Sequence, residues 1–392
     1  MTINYQNGPS LSLKERDRRY AAIRKQLREK NVDCVIVNGS NLFYLTNGLT
    51  GELFGLLTSE DRPLTVVINW RHLADLSSQV LADSQEWVKD FLQGIDARPL
   101  IAKIKELRLE NGTMGFAGPI SYKFYSQLGS ALPAAKIVDV SDVFANVRTI
   151  KSEEEVALID KANMIFDAAI ERVHEVVRPG MLGRDVVQEG IKAMWEAGGD
   201  MDSSFQFVFG SVPKQNPILA GFCLTRRIKE GDVGIMTAHS EFHHYAGHSD
   251  QVICFGSPKP VYSKMFDAVL RVREVVLGRI KDGVTQRDLY DDYEKACVQA
   301  GFETSEHAQM HQYGIDVPEF PGPQFKVADP KGGKGLGSGG NFVLKSGMVY
   351  SISPTVVANG GEEAVLSGTS LVVTENGQRE LGNRKLELLV VS

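Results

Sequence analysis

The sequence has few of the features that mark secreted, membrane or nucleic-acid-binding proteins. Its four cysteines lie far apart and form no Cys-x-x-Cys pair, so a disulfide framework is not expected. Because no run of about 18 apolar residues occurs, we expect no transmembrane helix. The net charge of -6 offers no basic face for nucleic acid. The polar N-terminus lacks the apolar segment of a secretory signal. We therefore predict a cytoplasmic protein.

A change of pattern near residue 150 predicts two domains. Before it, charged amphipathic segments alternate with short apolar runs such as 34–38 and 64–69, which is typical of an α/β domain. After it, Ser152-Glu-Glu-Glu155 predicts the capped start of a long helix. Further helical and strand patterns follow and indicate an α+β domain. We place the domains at 1–147 and 148–392.

Several segments of the second domain match one family in order and spacing. They are Arg148-Thr-Ile-Lys-Ser-Glu-Glu-Glu155, Val177-Arg-Pro-Gly180, Lys229-Glu-Gly-Asp232, Asp316-Val-Pro-Glu-Phe-Pro321, Leu344-Lys-Ser-Gly-Met-Val349 and Leu371-Val-Val-Thr-Glu-Asn-Gly377. On these segments the chain resembles the creatinase, prolidase and aminopeptidase P family. The resemblance implies a pita-bread C-terminal domain with a smaller α/β N-terminal domain. It also implies a small-molecule substrate and a homodimer.

The resemblance also locates the positions that bind metal in this family. Its metal-dependent members hold two cations with an Asp, Asp, His, Glu, Glu set. In this sequence the five positions fall on Thr237 or His239, Asp250, Tyr313, Ser353, and Ser367 or Gly368. One carboxylate cannot hold two divalent cations, so we expect the two-metal site to be absent.

The family's catalytic histidines also have no counterpart at the matching positions. One falls on Gln215 of Gln215-Asn-Pro217, and the other falls on Pro318, just before Glu319. Creatinase-type members work without metal and use the first of these histidines to move protons. The resemblance therefore supports the fold more directly than the activity.

Six of the eight histidines lie in two short stretches that border the expected site. One stretch holds His239, His243, His244 and His248, and the other holds His307 and His311. Since alternate residues of a strand face the same way, His248 and Asp250 are expected to point together into the pocket. The same holds for His239 with Thr237 and for His311 with Tyr313.

From these residues we predict a metal-independent, creatinase-like hydrolase or lyase that acts on a C–N or similar bond of a small polar metabolite. A histidine that titrates near neutrality, oriented by Asp250 or Glu241, would move the proton. No cofactor is expected. The candidate catalytic residues are His239, His248, Asp250, His311, Tyr313 and Glu319, and the candidate substrate-binding residues are Gln215, Asn216, Ser353 and Ser367.

Two other interpretations remain open. The first is a metallopeptidase-like hydrolase whose metal site is rebuilt for a single ion. Two histidines and Asp250 would suit zinc or ferrous iron. The second is a binding protein that keeps the fold, has lost catalysis, and carries its histidines on exposed loops. A bound metal would distinguish the first from the metal-free enzyme, and ligand binding without turnover would mark the second.

Overall fold

The computed structural model describes residues 8–49, 53–68, 86–94, 96–210, 224–304, 309–319, 326–328, 334–336, 342–361 and 363–391. Contacts within the chain divide it into two compact units. Leu11–Arg148 form the smaller unit, and Met1–Ser10 together with Thr149–Ser392 form the larger one. The boundary predicted after residue 147 differs from this division by one residue.

A mixed sheet forms the centre of the smaller unit. Its strands are β1 Cys34–Val37, β2 Phe54–Thr58, β3 Thr65–Ile68, β4 Asp90–Gln93, β5 Thr113–Ala117 and β6 Lys136–Asp139. They are ordered β4-β3-β2-β1-β5-β6, and β1 pairs in parallel with β5 and antiparallel with β2. The helices described here are α1 Leu13–Glu29, α2 Gly39–Thr46, α3 Arg98–Glu106, α4 Tyr122–Ala131 and α5 Ser141–Thr149.

The apolar runs seen in the sequence become the core of this unit. All four residues of β1 are buried, as expected for a central strand covered on both faces. The rings of Phe54 on β2 and Phe124 on α4 stack with centroids 4.0 Å apart. Buried Arg19 on α1 is neutralised by Glu15 at 2.7 Å and lies over the ring of Tyr44.

Long helices cover the sheets of the larger unit. The first, α6, runs over Glu153–Val176 and begins with a capping box in which Ser152 and Glu155 each accept a backbone hydrogen bond from the other. It is followed by α7 Gly183–Glu196, α8 Pro260–Leu277 and α9 Gln286–Gln299. The cap at Ser152 confirms the helix start predicted from the sequence.

The described strands of this unit form three sheets and one short pair. One sheet joins β7 Ser204–Phe209, β8 Val233–Phe242, β9 Tyr245–Phe255 and β19 Leu389–Val391 in the order β19-β9-β8-β7. A second joins β11 Gln309–Gln312, β14 Val349–Ser353, β17 Thr369–Val373 and β18 Gln378–Glu380 in the order β11-β14-β17-β18. The remaining strands are β10 Glu303–Thr304, β15 Thr355–Ala358 and β16 Glu363–Leu366 in the third sheet, and the pair β12 Lys326–Ala328 and β13 Lys334–Leu336.

The hairpin of β8 and β9 is longer than the sequence pattern indicated. The apolar runs of the sequence predict strands over 233–237 and 251–255 only, with the histidine-rich segment between them. The ladder instead continues to the pair Phe242 and Tyr245, and the chain turns through His243 and His244, which both have left-handed backbone angles. His239 and His248 are therefore strand residues, and the pairing of β8 with β9 fixes the side of the sheet to which their side chains point.

Other sequence expectations have different outcomes. Within the described ranges, no helix combines the length and the apolar character needed to cross a bilayer. Cys34, Cys254 and Cys297 are buried and free, as expected for core thiols. Cys223 and most of the glycine-rich segment at 329–340 lie outside the described residues.

Candidate functional site

The β8–β9 hairpin places four candidate residues on one face. In its antiparallel register Thr237 lies opposite Asp250, and His239 lies opposite His248. Partners directly across an antiparallel pair point to the same side of the sheet, so these four side chains share a face. The neighbouring residues point the other way, where Ser240 donates a hydrogen bond to the Ala162 carbonyl oxygen of α6 at 2.6 Å.

A third imidazole reaches this face from the second sheet. His311 on β11 lies with its Nε2 atom 3.2 Å from Nδ1 of His248, and its own Nδ1 is 3.2 Å from the carbonyl oxygen of Gln312. The ring of His239 lies edge-on to that of His248, with centroids 4.5 Å apart. His248 therefore contacts both other rings; His248 and His311 are buried, and His239 is partly buried.

The hydrogen bonds fix which ring nitrogens carry protons. A carbonyl oxygen only accepts, so Nδ1 of His311 donates to Gln312. In the neutral ring its Nε2 then has a lone pair and accepts from Nδ1 of His248. Nε2 of His248 is consequently left without a proton. It lies 3.4 Å from the hydroxyl oxygen of Thr237 and 4.0 Å from Oδ1 of Asp250.

Burial keeps all three imidazoles neutral. Loss of water, and to a lesser extent the nearby His311, together lower the pKa of His239 to about 4. The pKa of His248 lies well below its usual range, first through desolvation and then through the two neighbouring histidines. Desolvation likewise lowers the pKa of His311. Neutral imidazoles with free lone pairs are what a metal ion requires of histidine.

Asp250 is held by groups from the second sheet. Ser353 at the end of β14 donates a hydrogen bond to its Oδ2 atom at 2.6 Å. Arg384 donates from Nη2 to the backbone carbonyl oxygens of Asp250 and Gly368 at 3.0 and 3.1 Å. Desolvation raises the pKa of the Asp250 carboxyl, and the hydrogen bond from Ser353 opposes that rise. This carboxyl is therefore an acidic group held beside His248.

The structure gathers residues from the five family positions around Asp250, but they do not fit a two-metal centre. At the first position Thr237 offers a hydroxyl group. At the position of the family's histidine, Tyr313 is a buried phenol beside His311, and burial raises the pKa of the Tyr313 hydroxyl. At the last position, a Cβ atom on Gly368 would lie 2.0 Å from Oδ2 of Asp250. The hydrogen-bonded side chains of Ser353 and Asp250 thus occupy the space that a side chain at position 368 would need.

A single metal ion fits the residues better than a pair does. Nε2 of His248 and Oδ1 of Asp250 are 4.0 Å apart. Bonds of roughly 2.0–2.2 Å to each atom can bridge such a separation. The orientation of His248 by a hydrogen bond to its other ring nitrogen is the arrangement usual for a metal-bound histidine. His239 lies on the same face, but its ring nitrogens do not form a group within 4.8 Å of the donor atoms of both His248 and Asp250.

Glu319 lies in a different environment. Its Oε2 atom accepts from Lys151 Nζ at 2.8 Å, and its Oε1 atom accepts from the backbone amide of Ile315 at 2.9 Å. Lys151 and Glu319 form a buried ion pair whose side chains are only 1% and 5% exposed. A buried pair of this kind holds the chain around 314–319 in place, and a catalytic role for Glu319 stays a prediction.

The remaining candidates divide into two groups. Ser353 and Ser367 are buried near Asp250, and the amide of Ser367 donates to the Pro354 carbonyl oxygen. Gln215 and Asn216 lie outside the described residues.

Sequence reasoning missed a second group of possible ligands at the tip of the hairpin. One donor atom from each of Asp200, Glu241 and His244 lies within 4.8 Å of the others. In the part of the chain that the structure describes, no other group of three such residues meets this distance. Asp200 is 41 residues before Glu241 and follows a helix, so no local pattern pointed to it. Arg384 was missed for the same reason.

Comparison with known families assigns the chain. Residues 157–375 match the metallopeptidase family M24, and residues 19–150 match the creatinase/prolidase N-terminal domain. The first match alone spans more than half of the 392 residues. The chain belongs to metallopeptidase family M24. This membership confirms the family resemblance and makes the chain a member of a family of hydrolases.

Individual relatives cover nearly the whole length. The Xaa-Pro dipeptidase of Pyrococcus horikoshii is 24% identical over 371 residues, which are 93% of this chain and 97% of the relative. The probable dipeptidase PepE of Mycobacterium tuberculosis is 26% identical over 370 residues, 91% of each chain. The solved structure of an Xaa-Pro dipeptidase from Bacillus anthracis superposes with a TM-score of 0.79 at 20% identity and covers 96% of this chain and 100% of its own. This structural likeness confirms the pita-bread fold with its N-terminal domain.

The same comparisons overturn one sequence prediction. A metal-independent hydrolase or lyase without cofactor is wrong for this M24 chain, because its family is one of metallopeptidases and its relatives are named as dipeptidases. The prediction took the replacement of carboxylates at family positions as loss of all metal chemistry. The other interpretation drawn from the sequence, a metallopeptidase-like hydrolase in which histidines replace those carboxylates, agrees better with the family.

Proposed function

We propose that this M24 chain is a metal-dependent hydrolase that cleaves the amide bond of a small, dipeptide-like substrate. It would hold one metal ion with His248 and Asp250, whose facing donor atoms are 4.0 Å apart. The observation that carries the proposal is the hydrogen-bond chain from Gln312 through His311 to His248. This chain leaves Nε2 of His248 bare and aimed toward Asp250. The names of the relatives, an Xaa-Pro dipeptidase and a probable dipeptidase, support an Xaa-Pro or similar dipeptide as the substrate class.

Each side chain at the face has a distinct part in this proposal. When bound, a divalent ion supplies Lewis-acid activation of the scissile amide and of water. His311 positions the ring of His248 and holds its proton on Nδ1. Ser353 orients Asp250 through the hydrogen bond to Oδ2, which leaves Oδ1 toward His248. Thr237 places a hydroxyl beside the same nitrogen and can accept or donate a hydrogen bond to substrate.

The test combines metal content with turnover. Protein purified without chelator is analysed for metal and then assayed against a panel of dipeptides that includes Xaa-Pro sequences. We expect His248→Ala to lower the metal content by one ion per chain and to reduce kcat/KM at least a hundredfold. The exposed His243, which lies on the neighbouring turn, provides the control, and His243→Ala should change neither quantity.

Two results would overturn the proposal. One is wild-type protein that hydrolyses a dipeptide while its metal content is at background level. The other is a His248→Ala variant that keeps both its metal and its turnover. Circular dichroism of each variant establishes that the fold is intact before the two quantities are compared.

A further inference from the structure

The tip of the β8–β9 hairpin carries a second set of metal-ligating side chains on the larger unit. Glu241 is near the end of β8, His244 is in the turn, and Asp200 is in the segment between α7 and β7. One imidazole nitrogen and two carboxylate oxygens from these residues all lie within 4.8 Å of one another. All three residues are partly buried.

The backbone holds these side chains together independently of any ion. The amide of Asp200 donates to the Glu241 carbonyl oxygen at 2.8 Å, and the amide of His244 donates to Oδ2 of Asp200 at 2.6 Å. The amide of Glu241 donates to the hydroxyl oxygen of Ser203 at 2.9 Å. Side chains fixed by such contacts lose little conformational freedom when they bind a ligand, and preorganisation of this kind favours binding.

The charge at the tip is unbalanced. The charged groups that act on Glu241 are the carboxylates of Asp202 and Asp200, so all of them repel it. Among the described residues, no lysine or arginine forms an ion pair with Asp200, Asp202 or Glu241, and none donates a hydrogen bond to the Glu241 carboxylate. Partly buried carboxylates that face one another without a cation are unfavourable, and a divalent cation would relieve this repulsion.

We propose that Asp200, Glu241 and His244 bind a divalent transition-metal ion of the zinc, iron or manganese class. One imidazole and two carboxylates form a mixed nitrogen and oxygen donor set that suits these ions, and water completes their coordination. The ion ties the hairpin tip to the segment that follows α7. Glu241 is two residues from His239 along β8 and shares its face, so an ion at the tip also helps to hold the strand that carries His239 in position.

This site is separate from the one that carries the proposed hydrolysis, and binding can be measured without turnover. In the metal-stripped His248→Ala variant the site on the histidine face is disabled, so titration with zinc chloride reports the tip. We expect one zinc per chain in this background. Adding Glu241→Gln or His244→Ala should weaken zinc binding at least tenfold, whereas adding His243→Ala should leave it within about twofold, since His243 does not belong to the ligand set.

A second measurement uses chains with an intact histidine face. Zinc should raise the melting temperature of metal-stripped wild-type and His243→Ala protein by equal amounts and raise that of Glu241→Gln by less. Equal zinc affinity with and without Glu241 and His244, or equal thermal shifts in all three chains, would overturn the tip site. Neither result depends on whether the protein cleaves dipeptides.

Discussion

At the scale of single residues, the histidine face illustrates how burial selects chemistry. An exposed histidine titrates near neutrality, but desolvation and contact with two other rings keep His248 neutral. A neutral ring whose Nδ1 proton is donated to His311 presents a lone pair at Nε2. Such a nitrogen can accept a proton or bind a metal, and family membership favours the metal.

Gly368 offers a residue-scale test of how tightly Asp250 and Ser353 are packed. We expect Gly368→Ala to destabilise the larger unit by about 1–3 kcal/mol, the usual cost of overpacking. The added Cβ would lie 2.0 Å from Oδ2 of Asp250 and 2.8 Å from Oγ of Ser353. Urea unfolding at pH 7 measures the change.

The same substitution at Gly129 is the matched control. A Cβ there meets nothing within 4 Å, and Gly129 lies inside α4, so Gly129→Ala should stabilise the smaller unit by about 0.4–1 kcal/mol. If the two alanines had the same sign of effect, the close packing around Asp250 described here would be incorrect.

At the scale of elements, the hairpin of β8 and β9 is the part on which the site depends. The face turned away from α6 carries Thr237, His239, His248 and Asp250. The other face packs on α6 through Ser240 and through Ser249, whose hydroxyl donates to Asn163 at 3.2 Å. A shift of one residue in register would exchange these faces. The packing on α6 therefore fixes which histidines face the pocket.

The start of α6 can be tested by removing its cap. Ser152→Ala should lower the free energy of unfolding by about 1–2 kcal/mol, because it removes the bond to the Glu155 amide and leaves the reciprocal bond of Glu155 unsupported. Thermal unfolding monitored by circular dichroism gives the value. The N-cap of α4, Ser121, has a single such bond to the Phe124 amide, so Ser121→Ala should cost less; a larger cost at Ser121 would contradict the role of the box.

At the scale of the whole molecule, the chain consists of two compact units, each with a core of its own. A protein with two separate cores often does not unfold in a single two-state transition. Membership of family M24 applies to the larger unit, which holds every described candidate residue of the site. The homodimer implied by the family resemblance stays a prediction.

We expect calorimetry of the metal-stripped protein to show two transitions. Gly368→Ala should lower only the transition of the larger unit, and Gly129→Ala should raise only that of the smaller unit, because each substitution lies within one unit. A single transition that both variants move would mean that the two units unfold together.

The sequence by itself determined the family, the α/β and α+β character of the two halves, and the common facing of His248 with Asp250. These features follow from local rules: apolar periodicity, capping residues, and the two-residue repeat of a strand. The length of the hairpin was underestimated, because polar histidines in a strand are not distinguished from a loop by an apolar pattern.

Only the tertiary structure decided which residues meet. His311 contacts His248, which is 63 residues away in sequence, and Ser353 contacts Asp250, which is 103 residues away. Asp200 and Glu241 also lie close together although they are far apart in sequence. Such contacts arise from the order of strands in two sheets, which no local pattern encodes. Position-by-position matching registered the carboxylates that were absent and led to the wrong prediction of a metal-free enzyme. Metal binding depends on donor atoms that converge in space, and their convergence appears only when the sheets are assembled.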